Sequence, residues 1–107
     1  MNLSDFQQVS SRTMPPILEE QDGLIFGLGL CGEAGEVAEI LKKVYGHGRP
    51  LDREHLSAEL GDVLWYVSAI ATAFGLNLDA VATGNIEKLK RRYPDGFKLE
   101  PERLLDV

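Results

Sequence analysis

Cysteine occurs once in this sequence, at Cys31, so no disulfide can form within the chain, and no basic amino-terminal segment leads into a long apolar run and a cleavage site. A cytoplasmic protein is the expectation. Long hydrophobic runs are missing as well: the most apolar stretch, Gly23 to Cys31, is far too short to span a bilayer and leads directly into glutamates. It reads as buried helix. Positive charge is in deficit, with 11 Lys and Arg against 17 Asp and Glu and a formal net charge of −6, which argues against nucleic acid or an anionic membrane as the main partner. Cations are the better expectation. An anionic ligand would need a metal between itself and the carboxylates.

Strand-like alternation, internal repeats and low-complexity segments are absent too, which leaves an all-α chain. Its 107 residues make one domain. A chain this short buries only roughly two-thirds of its unfolded surface, so a second copy would help to complete its core. Ser4 with Gln7 three later fits a capping box, placing a first helix from about Asp5 to the stop at Pro15 and Pro16. A second helix begins between Ile17 and Asp22 and reaches about Tyr45, where "YGHGRP" ends it. The many glycines of "GLIFGLGLCGEAGE" lower its helicity, and close packing against another helix is the expected compensation. Asp52 caps a third helix that runs to Phe74, with Gly75 as its stop. Leu56, Leu60, Val63, Leu64, Val67, Ile70, Ala71 and Phe74 fall on one stripe of that helix, the expected core face. Asn77 caps a fourth helix to about Arg92, "YPDG" turns the chain, and the tail over 98–107 is expected to be irregular.

What is abundant is carboxylate in unexpected places. In "GEAGEVAE" the residues Glu33, Glu36 and Glu39 are three apart, and the apolar face of the same helix continues through Val37, Ile40, Leu41 and Val44. Glu33 falls inside that face, Glu36 at its edge and Glu39 outside it, where a lysine four later, Lys43, can pair with it. A carboxylate on a buried face costs several kcal/mol, roughly, unless it is neutralised or paired. The third helix repeats the arrangement in "AELGD", with Glu59 and Asp62 three apart beside the stripe. If the loop from Gly46 to Pro50 turns the chain back, the helices pack antiparallel and the two pairs meet. Four hard oxygen ligands without sulfur suit Mg²⁺ or Mn²⁺, and such a cluster can hold two ions roughly 3.5–4 Å apart. Histidine is scarce: His47 lies in the glycine loop and His55 follows a helix start, so neither has the spacing of a di-iron bundle, and both read as surface or capping residues.

"GLCGEAGEVAEILKK", "AELGDVLWYV" and "NIEKLKRRYPDGF" together resemble the MazG-like nucleoside triphosphate pyrophosphohydrolases, whose signature is Glu-x-x-Glu followed after a loop by Glu-x-x-Asp. The resemblance runs from about Leu24 to Phe97 and implies a four-helix MazG-like bundle completed by oligomerisation, with a single domain over 1–97. It implies hydrolysis of a nucleoside triphosphate to the monophosphate and pyrophosphate, with Mg²⁺, or Mn²⁺ in its place, held by Glu33, Glu36, Glu59 and Asp62. Some members carry a further glutamate just before the first signature Glu, assigned to water activation. Gly32 stands there in this chain, which leaves Glu33, Glu36, or a water activated by the metal without a separate base. Asn85, Lys88 and Arg92 lie on successive turns of one face of the fourth helix, with Arg91 and Tyr93 beside them, and would meet phosphates beyond the metal. Trp65, opposite the third helix's stripe, needs cover from another helix, a second subunit or a base; Phe6 and Gln7 are further candidates for a base pocket.

A homodimer formed chiefly by the second and third helices, or a homotetramer, is expected, because the second helix has apolar residues on more than one side. The expected partner besides a second copy is the nucleotide, with no nucleic acid and no membrane. A different class of protein, a catalytically silent helical module binding a structural divalent ion, is the alternative. It would not require the Asn85, Lys88 and Arg92 face.

Overall fold

The computed structural model describes residues 1–19 and 21–98, so beyond Lys98 the expected irregular tail lies outside the described residues. Among the described residues four helices are formed: α1 (Leu3–Ser11), α2 (Asp22–His47), α3 (Arg53–Ala73) and α4 (Leu78–Arg92). No β-strand occurs among the described residues, and the chain is all-α.

The caps of α3 and α4 are those expected: the side chain of Asp52 accepts from the amide of His55, and that of Asn77 from the amide of Ala80. At the start of α1 the expectation fails. Asn2 is the cap, accepting from the amide of Asp5 at 2.8 Å, while Ser4 and Gln7 lie inside the helix and bond to distant segments. Tertiary contacts thus claim the side chains that local spacing assigned to a capping box. The second helix starts at the late end of its expected range because Asp22 accepts from the amides of Leu18 and Glu19, folding the preceding loop back on itself. Its last turn passes Tyr45 and ends at Gly48.

The two long helices pack antiparallel. Phe74 at the end of α3 touches Gly23 at the start of α2, and Tyr66 packs against Gly29, where a Cβ would lie only 2.2 Å from the tyrosine ring. Close approach at that glycine offsets its cost in helicity. At the other end, Ile40 and Val44 share a cleft with Asp52 and His55. The helix α1 lies against both α3 and α4, and α4 is held to the molecule chiefly through α1. Between α3 and α4 the chain turns by 106°.

Phe26, Ile40, Ala69, Ala71 and Leu78 form the buried apolar core of the described residues. The stripe expected as the core face of α3 is covered only in part: Ala71 is buried and Leu56, Val63, Val67 and Ile70 are half-buried, while Leu60 (51%) and Phe74 (61%) are exposed, as are Leu24 (65%) and Leu28 (64%) on α2. The residues of α3 that are buried are Ser68, Ala69 and Ala71. Small side chains bring the helix close to its neighbours, and the leucines are left without cover from within one chain. No single helix among the described residues is long and apolar enough to cross a membrane.

Candidate metal centre and adjoining pocket

Antiparallel packing of α2 on α3 brings Glu33, Glu59 and Asp62 together, with one carboxylate oxygen from each lying within 4.8 Å of the others. Glu33 and Glu59 are half-buried and Asp62 is exposed. Of the four carboxylates expected to meet, Glu36 is the one left outside this group; it is exposed one turn further along α2, and its charge reaches Glu33 as the weakest of several influences. A helix delivers two side chains three apart to adjacent turns, not to one point, so one of each pair stands closer to the facing helix.

The electrostatics of the cluster are unfavourable without a cation. The Glu33 carboxyl is raised from 4.5 to about 7, first by the hydrogen bond its acid form makes to Glu59, then by desolvation and by the charges of Glu59, Asp62 and Glu36. On Glu59, one oxygen lies 3.4 Å from His55 Nε2, while Oε2 is buried with no hydrogen-bond partner. A buried carboxylate oxygen without a partner, on a residue clustered with two further carboxylates, is the arrangement a hard divalent cation relieves. The residues present therefore fit such an ion. The part of His55 was missed in the sequence, although its position four before Glu59 was a signal.

Beside the cluster, a cavity of about 380 Å³ is lined by Thr13, Glu33, Asp62, Trp65 and Tyr66. Trp65 is half-buried, covered from within the chain: its ring meets Phe26 at 6.0 Å and Tyr66 at 4.9 Å, both edge to face, and its Nε1 donates to Thr13 Oγ1 at 2.7 Å. Thr13 itself donates to the carbonyl of Ser10. A larger concavity of about 740 Å³, lined by Ile17, Leu18, Gly23, Ala73 and Phe74 among others, gathers no such chemistry.

Neither Phe6 nor Gln7 lines the cavity beside the carboxylates, and Gln7 is committed elsewhere through its amide. Asn85, Lys88, Arg92 and Tyr93 do not line it either; Asn85 and Lys88 are exposed on α4, which leads away from α3. Glu39 is exposed as expected, with its ion-pair partner being Lys42 at 3.8 Å and not Lys43.

The profile of the MazG nucleotide pyrophosphohydrolase domain matches residues 21–97, which include α2, α3, α4 and all three clustered carboxylates. The chain belongs to the MazG family. A relative is the Gene 37 protein of Mycobacterium phage L5, 41% identical over 73 residues, with the aligned part covering 64% of each chain. The MazG chain thus spans somewhat less than two-thirds of the length of that relative. No solved structure matches it. The order of the motifs along this MazG domain is that of the resemblance seen in the sequence, and its four helices agree with that fold class.

Proposed function

We propose that the protein is a divalent-cation-dependent nucleoside triphosphate pyrophosphohydrolase, taking Mg²⁺ or Mn²⁺ and converting a nucleoside or deoxynucleoside triphosphate to the monophosphate and pyrophosphate. The observation that carries this reading is the meeting of Glu33, Glu59 and Asp62 within 4.8 Å, with one buried oxygen of Glu59 lacking any partner. Membership of the MazG family supports it. Glu33, Glu59 and Asp62 would hold the ion, and Glu36 borders the same cluster from the next turn of α2. When bound, the ion supplies charge neutralisation at the phosphates, which phosphoryl transfer needs more than covalent help.

The chain's own residues supply the rest. Water adds to the α-phosphorus, the bond from that phosphorus to the oxygen bridging toward the β-phosphate breaks, and pyrophosphate leaves. Glu33, in the cluster, or Glu36, on the next turn of α2, would take the proton from the attacking water, or the water would be activated by the ion without a separate base. The cavity walled by Trp65 and Tyr66 seats the nucleoside end against the carboxylates. Asn85, Lys88 and Arg92, with Tyr93, serve the phosphates beyond the ion. Because α4 does not line this cavity in one chain, they act across a homodimer contact, which also covers the open leucines of α2 and α3. Two dimers pairing into a tetramer would cover more of that surface. The physiological task is clearance of aberrant or surplus nucleotides in the cytoplasm.

Incubation with each natural and modified nucleoside triphosphate in the presence of Mg²⁺ tests the reading. Pyrophosphate release with at least one of them supports it. No release with any would leave a structural ion site in a helical module.

A further inference from the structure

The helix α1 has no buried residue, yet it contacts two other helices. Its contacts form a polar seam at intervals of three. Ser4 donates to Asp79, Gln7 bonds three groups, Ser10 and Ser68 share a hydrogen bond of 3.2 Å, and just past the end of the helix Thr13 accepts from Trp65. Gln7 stands apart because its amide is used on both sides. Nε2 donates to the carbonyl of Leu76 at 2.8 Å and to Thr72 Oγ1 at 3.1 Å, and Oε1 accepts from the amide of Leu78 at 2.8 Å.

Two of those partners, the Leu76 carbonyl and the Leu78 amide, are backbone groups of the corner between α3 and α4 that take no bond from within it. Gly75, with φ of 70°, ends α3 in the left-handed region, and the amide of Leu76 returns to the carbonyl of Ala71. Asn77 caps α4 through the amide of Ala80. The carbonyl of Leu76 and the first amide of α4, on the buried Leu78, remain, and the glutamine supplies one donor and one acceptor to match them. No other residue type of that length offers both.

We infer that Gln7 is a positioning residue: it fixes the 106° turn between α3 and α4 and so aims the Asn85 and Lys88 face. Since α4 is held chiefly by α1, losing the clamp loosens the helix about residues 74–77, with the Ser4 to Asp79 bond as the remaining polar tie. The part concerning phosphates rests on the function proposed above; the clamp itself does not. In Gln7→Met the bulk stays while donor and acceptor go. In Gln7→Glu the acceptor for Leu78 stays, but a charge is placed beside the Leu76 carbonyl.

Two measurements on the full chain test the proposal. The first uses spin labels at Ser57 on α3 and Glu87 on α4, with Cys31→Ser and dilution into unlabelled protein. The Ser57–Glu87 distance distribution should broaden in Gln7→Met, and in Gln7→Glu to a smaller extent. An unchanged distribution in folded variants overturns the clamp, whether or not any nucleotide is hydrolysed. The second is kinetic. Gln7→Met and Lys88→Ala should each raise KM and the inhibition constant of inorganic pyrophosphate about tenfold, with kcat and Mn²⁺ affinity little changed, and the double variant should be no worse than the poorer single. Additive losses, or a change in base preference with pyrophosphate inhibition intact, would mean that Gln7 does not act through α4. An absence of hydrolysis would defeat the proposed function, while the distance measurement would still decide on the clamp.

Discussion

Gly29 and Tyr66 lie in contact one helical turn from the place where Glu33 meets Asp62: Glu33 is four positions after Gly29, and Tyr66 is four after Asp62. The absence of a side chain at Gly29 admits the tyrosine ring, and the ring's position forms one wall of the cavity beside the carboxylates. Gly29→Ala places a Cβ 2.2 Å from that ring and forces it to move. The variant should lose about 1–3 kcal/mol of stability by urea unfolding, the range of overpacked sites, even though alanine is the better helix former. A gain in stability would show that the contact does not constrain α2 against α3.

Protonation of the carboxylate cluster sets a pH dependence. In the metal-free protein Glu33 titrates at about 7 instead of 4.5, so between those values the folded state holds more protons than the unfolded one. Its contribution to stability is fully present below 4.5 and is lost as pH rises through about 7. In chelator, the melting temperature of Glu33→Gln should therefore fall less than that of the parent over this window. Parallel curves for the two proteins would contradict the shared-proton picture. Mn²⁺ should bind more tightly as pH rises through about 7 and should release a proton below it, which calorimetry in two buffers of different ionisation heat would detect.

The carboxylates should differ in rank. Asp62→Asn and Glu59→Gln remove charge from the group that meets within 4.8 Å, and turnover should fall by about 100-fold or more with helical content unchanged. Glu36→Gln, outside that group, should weaken Mn²⁺ binding less. Glu39→Gln, on an exposed residue paired with Lys42, should be nearly silent. Titration of Mn²⁺ by electron paramagnetic resonance gives the order directly; a Glu36 effect as large as that of Glu59 would show that the four carboxylates act as one set.

Much of this arrangement was readable from local chemistry. Asp52 and Asn77 cap helices because a short polar side chain can satisfy a nearby amide without help from the rest of the fold, and Gly75 stops α3 for an equally local reason. The pairing of Glu33 with Glu59 and Asp62 was readable because carboxylates beside apolar stripes must find a cation or a proton. What failed depended on distant partners. Ser4 and Gln7 have the spacing of a capping box, but Asp79 and the corner at Leu76 and Leu78 take their side chains, and no local pattern announces contacts so far along the chain. Leu60 and Leu64 belong to a stripe with the period of a core face, and they still lie open in one chain, since periodicity reports that a face needs cover without saying what covers it.

That open face yields a prediction about assembly. Light scattering at low micromolar concentration should give at least twice the 11.8 kDa of one chain, and Leu60→Glu should shift the mass toward the monomer. At substrate well below KM, where Lys88→Ala retains only about a tenth of the parent rate, mixing it with Glu59→Gln should restore about a quarter of the parent activity, because in mixed dimers one of two sites has both intact residues. A monomeric mass for an active protein, or no recovery on mixing two variants shown to exchange subunits, would place the phosphate-binding face and the carboxylates in the same chain.

The most direct measurement is phosphorus NMR of the products formed from a hydrolysed nucleoside triphosphate, comparing parent and Glu59→Gln with and without Mg²⁺. Monophosphate and pyrophosphate should appear in equal amounts with the parent, only when Mg²⁺ is present, and should be almost absent with Glu59→Gln. Diphosphate and inorganic phosphate as products, or equal rates for parent and variant, would contradict pyrophosphohydrolysis at the Glu33, Glu59 and Asp62 cluster.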